Sequence, residues 1–200
     1  YIMFIDGDDW LPEDALEKLY TLLKTNKTDY ATGLTKYVHS DRIARSDVAL
    51  SKIAYNKVDL KHFRKSFYHL APAGRMIKAS VIKKNHIQFP EMIFGEDLQF
   101  FAEVFFNTKR ISTTQDVVYC ANRYDDNISL VKSEKSTHIN RMKWQGEAYR
   151  HLMSKYKNNK LMPNLLYRII NKDVLEAKFY KKSFIKNINE LLPIFQNIIH

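Results

Sequence analysis

Cysteine is almost absent from this 200-residue chain, which contains Cys120 alone. A disulfide framework and a multi-cysteine zinc site are therefore excluded. Cys120 lies in the apolar run 117–121, which favours a small buried hydrophobic residue over a reactive thiol. No apolar stretch approaches the roughly 20 residues of a membrane-spanning helix, and no signal-peptide pattern precedes the first apolar segment. These absences predict a cytoplasmic protein, soluble or in peripheral contact with the inner face of the membrane.

Several common nucleotide-binding and hydrolase motifs are also missing. The sequence has no P-loop, G-x-G-x-x-G, H-E-x-x-H or G-x-S-x-G, which disfavours P-loop NTPases, Rossmann dehydrogenases, zincins and serine hydrolases. Glycine is scarce at 5 residues, yet Gly7, Gly74 and Gly95 each adjoin a charged residue. Because glycine allows a positive φ or a close approach of ligand to backbone, these positions mark candidate site loops.

The residues that are present predict a folded α/β domain. Hydrophobic residues make up 45% of the chain and aromatic residues 13%, enough for a substantial core. The run YIMFI at 1–5 is typical of a strand covered on both faces in a mostly parallel sheet. Residues 11–26 have helical spacing of apolar residues, with Pro12 in the first turn. With a second strand predicted at 29–38, the pattern indicates half of a β-α-β unit.

The remaining pattern is mixed at first and then helical. The sequence predicts a long excursion or hairpin at 39–56, followed by a short helix at 58–70. A brief strand and short helix come next, then a helix from Gly95 and a strand or strand pair at 109–124. From about residue 140 onward every segment has helical spacing.

The charge of the chain changes where its pattern changes. Up to Val131 there are 18 basic and 17 acidic residues, whereas from Lys132 onward there are 14 and 5. We therefore predict a first unit at 1–135 and a basic helical tail at 136–200. Such a tail points to an acidic partner, namely an anionic polymer, a membrane surface or nucleic acid. A basic face that is merely solvated explains the charge equally well.

Asp6, Asp8 and Asp9 form the first candidate site, directly after the first predicted strand. Carboxylates this close repel one another, and a divalent cation such as Mg²⁺ or Mn²⁺ relieves the repulsion. Ligands of open α/β sheets bind beyond the carboxyl ends of the strands, where this cluster lies. An acidic turn that caps the next helix is the alternative. The apolar strand in front of the cluster favours a metal–diphosphate site.

Glu96 and Asp97 form a second candidate site at the start of a predicted helix. One of them could act as a general base, although carboxylates at a helix N-terminus also stabilise the helix through its dipole. A third candidate is the loop at 121–132, in which Arg123, Ser129 and Lys132 could contact phosphate oxygens. A surface loop without a ligand is an equal alternative there.

Three segments in this order resemble family 2 glycosyltransferases of the GT-A fold, of the type that builds bacterial cell-surface polysaccharides and wall teichoic acids. The segments read YIMFIDGDDWLPEDALEKL, GRMIKASVIKKNHIQFPEMIFGEDLQFF and RYDDNISLVKS. The resemblance covers about residues 1–132. It implies an α/β fold, a partial GT-A domain with a Rossmann-like mixed sheet flanked by helices, followed by an all-helical appendage.

The resemblance also implies a reaction, the inverting transfer of a sugar from a nucleotide-diphosphate sugar to a hydroxyl. A UDP-linked donor such as UDP-GlcNAc is implied. By position, Asp8 would coordinate Mn²⁺ or Mg²⁺, and Asp6 would contact the metal or the ribose side of the donor. Asp97 would be the general base, and Glu96 would help to position the acceptor.

The remaining expectations concern the diphosphate, the partners and the extent of the domain. Arg123 and Ser129 would help to hold the diphosphate. The acceptor would be an anionic glycopolymer or a lipid-linked chain, with peripheral membrane contact through the basic tail and no nucleic acid. The family's first nucleotide-binding strand has no counterpart here, so we expect a fragment that is inactive alone. The alternative is a non-catalytic glycosyltransferase-like or basic helical module that binds an anionic polymer or nucleic acid.

Overall fold

A mixed sheet lies at the centre of the chain in the computed structural model, which describes residues 1–38, 43–45, 53–63, 66–122 and 138–174. The strands are β1 (Ile2–Met3), β2 (Tyr30–Val38), β3 (Ile43–Arg45), β4 (Arg75–Ile77) and β5 (Ile111–Asn122). The helices are α1 (Ala15–Asn26), α2 (Ala79–Lys84), α3 (Glu96–Asn107), α4 (His138–Tyr156) and α5 (Met162–Arg168), with a π-helical extension at Ile169–Val174.

Strand β2 organises the sheet. It pairs in parallel with β5 along one side, and on the other side it pairs antiparallel with both β4 and β3. Strand β1 pairs antiparallel with β4, so β4 separates β1 from β2. The predicted mixed sheet is therefore confirmed. The expectation that 1–5 is a strand of a mostly parallel sheet, covered on both faces, is wrong, because β1 pairs antiparallel with β4 and both of its residues are only half-buried.

Gly33 allows β2 and β5 to approach each other closely in the middle of the sheet. A Cβ atom at this position would lie 2.7 Å from Val118 Cγ2 and 2.8 Å from the carbonyl oxygen of Asp116. The parallel register between the strands shifts on either side of Leu34. A side chain at residue 33 would therefore force the two strands apart at this irregularity.

Helices cover both faces of the sheet and form two hydrophobic clusters. On one face, the apolar side of α1 packs on the sheet, and this cluster consists of Ala15, Leu19, Leu23, Ala31, Met76 and Val118. The other face carries α3, α4 and α5, whose side chains pack on Tyr30, Ile77 and Ile111. Neighbouring residues of β2 enter opposite clusters, Tyr30 in one and Ala31 in the other, and the first six residues of the strand are buried.

Most local predictions are confirmed, and two differ in detail. Helix α1 begins at Ala15 rather than near Pro12, whose carbonyl accepts a hydrogen bond from the Ala15 N–H at 3.0 Å. The predicted helix at 58–70 is replaced by two 3₁₀ turns, Leu60–His62 and Ser66–Tyr68. Strand β3 pairs with β2 as a hairpin within the predicted excursion, while 39–42 and 46–52 lie outside the described residues.

Helix α4 is fastened to α3 by a buried polar cluster around Glu103. The Glu103 carboxylate, with only 3% of its side chain exposed, accepts hydrogen bonds from Lys155 Nζ at 2.6 Å and Tyr156 Oη at 3.1 Å. It also pairs with His151 Nε2 at 2.9 Å. The predicted boundary at 135–136 stays a prediction. Among the described helices, none is long and apolar enough to cross a membrane.

Candidate active site

The acidic loop that follows β1 is fastened to the carboxyl end of β5. Its turn closes through a 3.1 Å hydrogen bond from the Asp9 N–H to the Asp6 carbonyl. Trp10 and Cys120 then exchange two backbone hydrogen bonds, at 3.1 and 2.9 Å. The loop therefore continues the sheet as a short antiparallel bridge, and its carboxylates lie at the edge where a ligand of an α/β sheet binds.

Tyr119 and Asn122 of β5 hold individual groups of this loop. The Tyr119 hydroxyl accepts a hydrogen bond from the Asp6 N–H at 3.1 Å and also bonds the Asp9 carboxylate. Asp9 Oδ1 in turn accepts the Asn122 N–H at 2.7 Å. The Asp9 carboxylate thus shapes the loop, while the Asp8 side chain is exposed beside it.

Like charges perturb the ionisation of Asp6. Burial raises the pKa of its carboxyl, and the neighbouring carboxylates of Asp9 and Asp8 raise it further. The carboxylates of this cluster therefore repel one another in the folded chain, as the sequence predicts. A cation placed at the loop would reverse this effect, because its charge favours the ionised carboxylates.

The second acidic pair lies in the first turn of α3. Gly95 precedes the helix with a φ of +92°, a conformation that residues with a Cβ rarely adopt, and its carbonyl accepts the Gln99 N–H at 2.9 Å. The glycine therefore lets the chain turn sharply into the helix. Glu96 and Asp97 follow directly, half-buried at the positive end of the helix dipole.

The structure brings Asp97 and the acidic loop into one electrostatic site. The pKa of Asp97 is raised from an ordinary value of 3.8 to about 6, first by burial, then by the charges of Glu96 and Asp6. The Arg75 guanidinium acts in the opposite direction. A carboxylate with a pKa near 6 is ionised at neutral pH and still basic enough to accept a proton, as a general base requires.

Arg75 was not identified from the sequence, and the structure places its side chain beneath α3. It is 1% exposed, donates from Nη2 to the His69 carbonyl at 2.5 Å, and lies 5.3 Å from the centre of the Phe101 ring. Phe101 is one helical turn beyond Asp97, so the guanidinium lies under the carboxylate's side of α3. The only sequence signal was an arginine after a glycine, which does not reveal burial.

An aromatic cluster supports both acidic segments. Phe4, two residues before Asp6, makes edge-to-face contacts with Phe100 at 5.4 Å and Phe101 at 6.2 Å. Phe89 stacks on Phe100 with ring centres 3.9 Å apart. These contacts join the end of β1 to the start of α3, and they fix the distance between the two acidic segments.

The predicted metal site is tested here by its donor atoms. Within the described ranges, no group of three or more His, Cys, Asp or Glu residues is arranged to hold a metal ion. Asp8 and Asp6 could supply one or two carboxylate oxygens, which suits Mg²⁺ or Mn²⁺ bound together with substrate phosphates. The residues therefore fit a cation that arrives with a diphosphate, and they do not form a cage for a cation alone. Arg123, Ser129 and Lys132 lie outside the described residues.

Comparison with known proteins shows what part of the chain resembles. Residues 1–85 match the model of glycosyl transferase family 2, the segment that contains the acidic loop, β2 and β4. The match covers 85 of the 200 residues, and this segment is of the glycosyl transferase family 2 type. Two curated relatives are each 32% identical to the chain. One is a poly(ribitol-phosphate) beta-glucosyltransferase of Bacillus spizizenii, matched over 120 residues, or 60% of this chain and 18% of that protein.

The second relative is the poly(ribitol-phosphate) beta-N-acetylglucosaminyltransferase TarP of Staphylococcus aureus, matched over 158 residues, or 74% of this chain and 43% of TarP. The chain thus spans less than half the length of these relatives. The crystal structure of S. aureus TarS residues 1–349 in complex with UDP-GlcNAc superimposes with a TM-score of 0.70. That match covers 96% of this chain and 56% of the TarS chain at 20% identity, and it confirms the GT-A-like fold.

Proposed function

We propose that the protein transfers a sugar from a nucleoside-diphosphate sugar to a hydroxyl of a teichoic-acid-type polymer. The observation that carries the proposal is the convergence of the acidic loop and Asp97, whose pKa is raised to about 6. An exposed carboxylate for a diphosphate-bound cation and a base near neutrality are the two groups that this reaction needs. The two curated relatives act on poly(ribitol-phosphate) by name, which supports the acceptor class.

Asp97 would accept the proton of the acceptor hydroxyl. The hydroxyl oxygen then bonds to the anomeric carbon, while the bond between that carbon and the diphosphate oxygen breaks and the diphosphate leaves with the electron pair. This in-line displacement inverts the anomeric centre. Glu96 would orient the acceptor, and its charge together with that of Asp6 keeps Asp97 basic. Arg75 limits the rise in the Asp97 pKa, so that the carboxylate is ionised at neutral pH.

Asp8 would hold Mn²⁺ or Mg²⁺, with Asp6 beside it at the metal or ribose side of the donor. When bound, the cation would supply Lewis-acid stabilisation of the leaving diphosphate. The protein's own contribution is the loop shape, which the Asp9, Tyr119 and Asn122 hydrogen bonds maintain. Arg123 and Ser129 are proposed to contact the diphosphate as well.

The donor is proposed to be UDP-linked, with N-acetylglucosamine as the sugar. TarP supports this sugar by its name, and the TarS structure holds UDP-GlcNAc, whereas the Bacillus relative is named for glucose transfer. Parallel assays with UDP-GlcNAc and UDP-glucose show which of the two sugars the protein transfers. We further propose that the reaction takes place in the cytoplasm, at the inner face of the membrane, where a lipid-linked polymer is accessible.

The test uses the complete protein in which this sequence occurs and measures sugar transfer to poly(ribitol-phosphate), with and without Mn²⁺. Asp8→Asn and Asp97→Asn should each lower the rate at least 100-fold, since one removes a cation ligand and the other the base. Asp14→Asn, at an exposed carboxylate outside the site, is the matched control. Unchanged rates in both site variants would refute the catalytic proposal and favour a binding module.

A further inference from the structure

The end of the sheet opposite the acidic site gathers several loops into one surface. The Asp29 N–H donates to the Arg110 carbonyl at 3.1 Å, and the Lys78 N–H donates to the Asp29 carbonyl at 2.9 Å. These bonds join the loops before β2, before β5 and after β4. Ser112 adds a fourth segment, because its hydroxyl bonds Thr28 Oγ1 at 2.8 Å and the Asn56 carbonyl at 2.5 Å.

The turn between α4 and α5 reaches the same end. Asn159 Nδ2 donates to the Phe106 carbonyl at 3.0 Å, at the last turn of α3. Asn107 Nδ2 donates to Tyr156 Oη at 3.0 Å, at the last turn of α4. The residues just beyond these two helices therefore lie beside the start of β5.

This surface, which we name the basic end, is lined by exposed cations: Lys27, Lys57, Lys61, Lys78, Lys109, Arg110, Lys157 and Lys160. Its described carboxylates are Asp29 and Asp59, which pair with Lys78 at 3.8 Å and Lys61 at 3.6 Å. Helices α1, α3 and α4 all finish here, and a helix carboxyl end favours a nearby cation. One cation near the carboxyl end of each of the three helices would be enough to stabilise the helix dipoles. The dipoles therefore do not account for most of the eight cations.

The acidic loop and the basic end therefore lie at different ends of the sheet, although the exposed Lys36 lies beside the acidic loop. The carboxylates of the acidic loop and of the α3 N-terminus lie at one end, and the basic end lies at the other. Trp10 of the acidic loop pairs with Cys120, which lies opposite Lys36 of β2, six residues from Tyr30 at the other end, so the two ends are about 20 Å apart. Such a separation exceeds the Debye length of about 8 Å at physiological ionic strength. A negatively charged plane would attract the basic end without repelling the active site.

We propose that the basic end binds the anionic phospholipid headgroups of a membrane surface and turns the acidic site away from it. The cations project from five separate connections across the end of a three-layer structure, which suits a planar partner better than a linear one. A polymer acceptor must place its hydroxyl at Asp97, at the far end of the sheet. The choice of a membrane over a polymer rests on the proposed function, whereas membrane binding is measured without substrates, so the two proposals can fail separately.

The experiment measures partitioning of the complete protein onto phosphatidylcholine vesicles with and without about one third phosphatidylglycerol. The test variant carries Lys27→Gln, Lys109→Gln, Arg110→Gln and Lys160→Gln. The control carries Lys178→Gln, Lys181→Gln, Lys182→Gln and Lys186→Gln, the same charge change in the C-terminal tail. The test variant should bind anionic vesicles roughly 100- to 1,000-fold more weakly, and the control should retain most of its binding. A double Lys109→Gln/Arg110→Gln variant should lose roughly 10- to 30-fold, and it replaces the quadruple variant if that variant fails to fold.

Three outcomes would overturn the proposal. The first is equal losses in the test and control variants, which would indicate an effect of net charge alone. The second is a loss confined to the tail variant, which would assign membrane binding to residues 178–186. The third is binding of soluble inorganic polyphosphate without binding of vesicles, which would make the basic end a polymer site.

Discussion

Replacing Asp97 by asparagine should stabilise the folded protein at neutral pH while it abolishes sugar transfer. The pKa of Asp97 rises from 3.8 to about 6 on folding, so the folded state holds this proton more strongly than the unfolded state. The ionised carboxylate therefore costs stability above pH 6, and the cost disappears below about pH 3.8. Asparagine is similar in shape and carries no charge, so it removes the cost.

The expected increase in the free energy of unfolding follows from the size of the Asp97 pKa shift. About two pKa units at 1.36 kcal/mol each give an upper limit of about 3 kcal/mol. Solvent screens a half-buried group in part, so we expect about 1–3 kcal/mol at pH 7.5. The burial of Asp97 and its proximity to Glu96 and Asp6 are the physical sources of this energy.

Urea unfolding at pH 7.5 and at pH 4 measures the difference between wild type and Asp97→Asn. The stabilisation should be present at the higher pH and lost at the lower one, whereas Asp14→Asn should show no such gain at either pH. If Asp97→Asn were no more stable than wild type at pH 7.5, the raised pKa and the assignment of Asp97 as a strained base would both be wrong. The pH profile of sugar transfer gives a second readout, with an acid limb near pH 6 that moves lower in Glu96→Gln.

Three other substitutions probe the contacts that hold the site in place. Tyr119→Phe removes the acceptor of the Asp6 N–H, so it should cost about 1 kcal/mol of stability and raise the KM for the donor in steady-state assays. Glu103→Gln should destabilise the protein by about 2 kcal/mol at pH 7; because hydrogen bonds from Lys155 lower the Glu103 pKa, the deficit should vanish in acid denaturation series below that pKa. Gly95→Ala forces a Cβ into a φ of +92° and should cost about 1–2 kcal/mol in urea titrations, and it should lower kcat because Asp97 lies in the turn of α3 that Gly95 begins.

Local patterns in the sequence were sufficient to predict the two acidic segments. The strand–carboxylate–helix order around Asp6 and the paired carboxylates at Glu96 and Asp97 each lie within a few residues, where spacing and helix-capping rules apply. The convergence of these segments was not visible locally, because it depends on Phe4 packing against Phe100 and Phe101 across the fold.

Residues that act at long range escaped prediction for a related reason. Tyr119 lies 113 positions from Asp6, whose backbone it binds, and its segment reads as an ordinary apolar strand. Arg75 carries a charge, and charged residues are rarely buried, so nothing in its neighbourhood indicated a position under α3. The predicted roles of Arg123 and Ser129 stay predictions, since the structure does not describe those residues.

The hydrogen bond from the Asn122 N–H to Asp9 has a consequence for the chain that follows β5. Asn122 is the last residue of β5, and Arg123 follows it in the sequence. The segment that leaves β5 is therefore tethered at its origin to the acidic loop. If Arg123 contacts the diphosphate, its position depends on the end of β5, which Asp9 holds. A substitution that breaks the Asp9–Asn122 hydrogen bond would then shift the acidic loop and the start of the 123–133 segment together.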